Sequence, residues 1–184
     1  MFVKTFSDMI LKELGGLEGC KVVIVYVWRD LEDVVMSQVQ LGWFKEGHSG
    51  YRNWYYRVGD VQGSEKVLGR EVERKLEGGS VIDQAIGYNL DIRARAEKLK
   101  RDVEMFEKKG LLGNVNQVDV SLKDIDSRNP RGLSEFLKEV GLEVDSVRLE
   151  LLGKQEKNAR DFKKSLVQQD INRDMIRQRL DELT

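Results

Sequence analysis

Proline, cysteine and histidine occur once each in this sequence of 184 residues. A lone cysteine, Cys20, cannot form a disulfide within the chain; it precedes an apolar run, where a small buried residue is expected. A lone histidine, His48, excludes the multi-histidine ligand sets of zinc sites. It also leaves a Ser-His-Asp triad no base except the direct neighbour of Ser49, whereas triad members converge from separate segments. Gly47-His48-Ser49-Gly50-Tyr51 lacks the closing glycine of a nucleophile elbow. Neither G-x-G-x-x-G nor G-x-x-x-x-G-K-[ST] occurs, so the familiar phosphate-cradling loops are missing. No stretch of 18 apolar residues is present, and the N-terminus lacks the basic and apolar regions of a secretory signal, so a cytoplasmic location without a membrane partner is expected. Charge of one sign is lacking too: 31 basic and 32 acidic residues leave a net charge of −1, which does not indicate a net-basic nucleic-acid binder. No catalytic residue, metal ligand or cofactor is assigned.

A chain with Pro130 as its one proline suits long helices, and 34% charged residues with little net charge suits helices laced with ion pairs. The clearest helix is expected over 80–109. Ser80 with Asp83 makes a capping-box-like start, and Ile82, Ala85, Asn89, Ile92, Ala96, Leu99, Val103 and Phe106 follow a 3,4 spacing. Asn89 interrupts this coiled-coil-like seam at an a position, where a buried Asn fixes register and oligomer state. Outside the seam, Asp91–Arg95, Glu97–Arg101 and Glu104–Lys108 stand at i,i+4. A second long helix is expected over 154–183, carrying the basic stripe Lys157, Arg160 and Lys164. A short helix capped by Ser64 is expected to run to Leu76.

Between these lie strands. KVVIVYVW (21–28) is apolar on both faces and reads as a strand covered on both sides. Val35, Val39, Leu41 and Trp43 share one face of an alternating run, which predicts a further strand, and YRNWYYRV (51–58) reads as another, joined to it by a hairpin loop. Val118 to Leu122 alternates, Asn129-Pro130 starts a helix that Gly141 closes, and 147–151 alternates again, so 115–152 reads as a β-α-β unit. The acids Asp30/Glu32/Asp33 and Asp124/Asp126 lack the glycine and spacing of a calcium loop and read as solvated loop acids.

The expected fold is α+β: a mixed β-sheet with N-terminal aromatic strands and a later β-α-β unit, plus two long amphipathic helices. Residues 1–153 form the α+β domain, and the helix of 154–184 packs on the heptad helix or on a partner chain. The seam, the balanced charge and the missing catalytic constellation suggest a non-enzymatic, self-associating assembly, adaptor or regulatory protein. Its homo-oligomeric or helical-partner contact would use Ile82, Asn89, Ile92, Ala96, Leu99, Val103 and Phe106. The alternative is an RNA or single-stranded nucleic-acid binder, viral or regulatory. It would stack bases on Tyr51 and Tyr55 and hold phosphates with Arg52, Arg57, Lys157, Arg160 and Lys164.

Overall fold

A computed structural model of the chain describes residues 13, 21–45, 68–76, 79–113, 115–126, 129–143, 145 and 171–183. Their elements are β1 (Val22–Trp28), α1 (Leu31–Gln40), α2 (Arg70–Leu76), α3 (Val81–Lys108), β2 (Val115–Ser121), α4 (Pro130–Glu139) and α5 (Arg173–Leu183). The fold therefore mixes helices with a two-stranded parallel sheet. The chain divides into two compact units. Unit 1 holds 1–11, 30–102 and 163–184; unit 2 holds 12–29 and 103–162.

The strand expected at 35–43 is a helix. Val35 and Val39 are four apart, a spacing that suits both one face of a strand and one face of a helix. End signals decide. The Asp30 side chain accepts from the Asp33 backbone N–H at 3.1 Å, and Glu32 and Asp33 place negative charge in the first turn. At the other end Gly42 adopts φ 69°, with Gly42 N–H bonded to the Val39 carbonyl and Trp43 N–H to that of Gln38. The same pair of closing bonds recurs at Gly110 (φ 67°) after α3 and at Gly141 (φ 83°) after α4. All three are helix stops of the Schellman kind, in a backbone region where a Cβ is costly.

In unit 1, α1, α2, residues 81–102 of α3 and α5 surround one core. Val35, Val39, Phe44, Leu76, Ile82, Ala85, Ile86, Tyr88, Ile176 and Leu183 form it, with Ile171 and Leu180 against it. The start expected for α3 is present: Ser80 N–H donates to Asp83 Oδ2 at 2.8 Å, and Asp83 N–H donates to Ser80 Oγ at 3.3 Å. Of the expected ion pairs, Asp91–Arg95 forms at 3.0 Å, and it is buried rather than solvent-facing. Glu97 pairs with Lys100, one residue nearer than Arg101. The described part of α2 begins at Arg70, and Ser64 lies outside the described residues.

Tyr88 packs on Phe44 with ring centroids 5.9 Å apart. Burial, and secondarily the carboxylate of Asp91, push its phenol up to about 12. A raised phenol favours folding below the unfolded value of 10.0, and that contribution disappears as pH rises from there to about 12. Alkaline titration followed by phenolate absorbance and circular dichroism should show unfolding in this window. Tyr88→Phe should move the midpoint to higher pH.

In unit 2, β1 and β2 pair in parallel with Val22 opposite Val115 and Trp28 opposite Ser121. The alternation from Val118 is borne out: Val118 and Val120 are buried while Asp119 is exposed. The Asn129-Pro130 start and Gly141 stop of α4 also stand, with Asn129 Oδ1 accepting from Gly132 N–H at 3.0 Å. Residues 51–58 and 147–151, expected as strands, lie outside the described residues. Among the described residues the sheet consists of β1 and β2, paired in parallel across more than eighty residues of chain.

Candidate interaction surface

β1 departs from expectation in its burial. Parallel partners in register point to the same face, so Val25 and Val27 share a face with Val118 and Val120. Val118 and Val120 are 3% and 8% exposed, whereas Val25 and Val27 are 37% and 51% exposed. The expected strand with both sides covered is therefore open over half of one face. On the opposite face Tyr26 stacks on Trp28 with centroids 6.3 Å apart, and the Tyr26 hydroxyl donates to Gln117 Oε1 at 2.8 Å. Trp28 Nε1 donates to Asp119 Oδ1.

α4 lines a cleft with the end of β2. Leu133, Phe136, Leu137 and Val140 recur at helical spacing on its apolar face, yet none of its residues is fully buried. Between α4 and the end of β2 a cleft of about 390 Å³ remains, floored by Val120 and Phe136. Asp119, Asp124, Glu135 and Glu139 bring carboxylates to it, against one guanidinium, Arg131, which pairs with Glu135 at 3.0 Å. A Cβ at Gly132 would collide with the Asp124 carbonyl oxygen, so the turn and helix approach this closely only because residue 132 is glycine. Among the described residues no group of acids, histidines or cysteines is placed to hold a metal ion. The cleft is an acidic notch at the margin of an apolar face.

The sequence-predicted sites fare differently. Tyr51, Arg52, Tyr55, Arg57, Lys157, Arg160 and Lys164 lie outside the described residues, as do Cys20, His48 and Ser49. Of the seam, Ile82, Ala96, Leu99 and Val103 are buried, and Asn89, Ile92 and Phe106 are half-buried. Asn89 already has partners in its own chain: its Nδ2 donates to Gln38 Oε1 at 2.6 Å and to the Ala85 carbonyl at 2.8 Å. Asn89→Leu should cost about 1–3 kcal/mol, because it strips the donor from a buried amide oxygen. Gln38→Leu in the same chain should restore part of that loss. Denaturant midpoints measure both, and sedimentation of Asn89→Leu should show the oligomeric state unchanged.

A charged contact in unit 1 was not foreseen. The acids read as solvated loop residues begin α1, and α5 meets them: Arg177 grips Glu32 through two nitrogens at 2.8 and 2.9 Å, and Arg173 pairs with Asp33. Further along, Arg179 donates to Asp83 at 2.5 Å, to Glu182 at 2.7 Å and to the Lys75 carbonyl at 2.7 Å. The helix expected from 154 is described from Arg173. Ile171 and Asn172 precede it in non-helical conformation, and the Asn172 side chain caps it by accepting from Met175 N–H. Three arginines on α5 and three acids far upstream were visible separately, but nothing in their order showed that they meet.

No helix among the described residues is long and apolar enough to cross a membrane. Comparisons with protein-family models, curated proteins and solved structures find nothing that matches this chain.

Proposed function

We propose that the chain is a non-enzymatic assembly or adaptor protein that associates with a second copy of itself through the open half of the β1–β2 face. The observation that carries this reading is the step in burial across one sheet face, from Val118 and Val120 to Val25 and Val27. Adjacent valines left open beside a buried apolar layer favour a protein partner, because covering them removes apolar area from water. The half-buried α4, which shares a cleft with Val120, widens the surface such a partner can cover. A second copy is the favoured occupant because a net charge of −1 gives two chains little mutual repulsion. The acidic notch at the margin supplies orientation through charge rather than catalysis.

Sedimentation equilibrium or light scattering at micromolar concentration tests it. The wild-type chain should be larger than a monomer, and Val25→Lys with Val27→Lys should weaken association roughly ten- to a hundredfold while leaving the circular dichroism spectrum intact. A strict monomer at micromolar concentration sinks the self-association.

A further inference from the structure

The geometry points to α5 as an exchangeable helix, whose docking groove on α1, α2 and the start of α3 also accepts α5 of a second copy. The docked helix shows the chemistry of the occupant. Ile176 and Leu183 enter the core, with Leu180 between them on the same face. Flanking arginines meet acids placed for them: Arg173 with Asp33, Arg177 with Glu32, and Arg179 with Asp83. Lys75 adds a bond from its ammonium to the Glu182 carbonyl at 2.7 Å. An apolar stripe edged by arginines, laid in an acid-edged groove, is helix-in-groove recognition. A second copy carries the same stripe and the same arginines. Exchange between copies forms each of these groove contacts again in trans, which makes this kind of swap inexpensive. Arg173 and Arg177 are themselves more than half exposed in these pairs, so they select a partner helix more than they lock one in place. This groove belongs to unit 1 and does not depend on the valine face of unit 2.

Complementary charge reversal provides the experiment. One chain carries Glu32→Arg and Asp33→Arg, reversing the groove; the other carries Arg173→Glu and Arg177→Glu, reversing the helix. Both also carry Val27→Lys, so that failure of the valine-face reading leaves this result interpretable. Within each chain groove and helix now repel, but across the pair each groove faces a helix of opposite charge. Native mass spectrometry of an equimolar mixture should show a heterodimer absent from either chain alone. That species should disappear when Ile176→Ala is added to both, and a heterodimer indifferent to Ile176→Ala counts against exchange. Because reversed chains can fail to fold, a labelled synthetic peptide of residues 171–184 is also titrated with the wild-type full chain. Saturable binding, weakened roughly tenfold or more by Glu32→Arg, supports the groove. Absence of both the heterodimer and saturable peptide binding overturns it.

Discussion

Asp83→Ala should destabilise unit 1 by about 2–4 kcal/mol, more than the loss of an ordinary exposed acid. Its carboxylate is 7% exposed and serves three donors: Ser80 N–H at 2.8 Å, Ser80 Oγ at 2.9 Å and Arg179 Nε at 2.5 Å. The first two close the N-terminus of α3, a contribution of typically ~1 kcal/mol where a capping residue is lost. The third is a hydrogen bond between charged groups, worth about 1.5–3 kcal/mol on removal. Asp83→Asn keeps an acceptor but not the charge, so it should fall between wild type and Asp83→Ala. Guanidinium unfolding followed by helicity measures the series, and an Asp83→Ala/Arg179→Ala cycle should show coupling rather than additivity. A second partner of Arg179 gives the contact a pH signature. Hydrogen bonding to the Arg179 guanidinium holds the Glu182 carboxyl below its ordinary value. A depressed carboxyl supports folding above its unfolded value, and that support fades as pH falls through the lower folded one. An Asp83→Ala midpoint indistinguishable from wild type would overturn the assignment of this carboxylate as the joint between α3 and α5.

How much of this was legible depended on whether the deciding contacts were local. α3 was readable because its cap, Ser80 with Asp83, and its seam lie within one continuous stretch. β2 and α4 were readable for the same reason: strict alternation, then an Asn-Pro start, then a glycine stop. α1 was misread because the spacing of Val35 and Val39 satisfies two periods at once; the Asp30 cap and Gly42 stop were the arbiters. The seam itself illustrates a different limit. A 3,4 pattern with Asn89 at an a position describes a face to be covered, but it does not say by what, and here Gln38 meets Asn89 within the chain.

The surface and the α5 joint were not legible, because both depend on distant segments. Apolar residues on both faces of KVVIVYVW imply burial only if layers close over both, and the number of layers is a tertiary fact. Val27 is half-exposed although Val120, its partner in register on β2, is buried. Arg177 and Glu32 stand 145 positions apart, so no i,i+4 rule reaches them. Such pairs leave a weak trace, matched charge on two remote helix faces, which a single sequence does not distinguish from two solvated faces.

Ile176→Ala should cost about 2–5 kcal/mol, because the residue is fully buried and its loss leaves a cavity among Val35, Val39, Ile86 and their neighbours. The consequence should be larger for α5 than for the rest of the unit. An 11-residue helix is marginal by itself, so its order comes from docking. Met175 stands next to it on the same helix but is 45% exposed, and Met175→Ala should therefore change stability little. The contrast separates burial from helix propensity, since both substitutions introduce the same good helix former. Hydrogen exchange reads the outcome by segment: in Ile176→Ala, amides of α5 should lose protection before those of the buried middle of α3. With Ile176 gone, Leu180 and Leu183 remain as apolar contacts, and a larger share of the docking falls to Arg173, Arg177 and Arg179, whose attraction salt screens. Ile176→Ala should therefore make α5 protection fall with added salt more steeply than in the wild-type chain. Equal protection of α5 in both chains at every salt concentration would mean that the arginines, not Ile176, hold the helix in place.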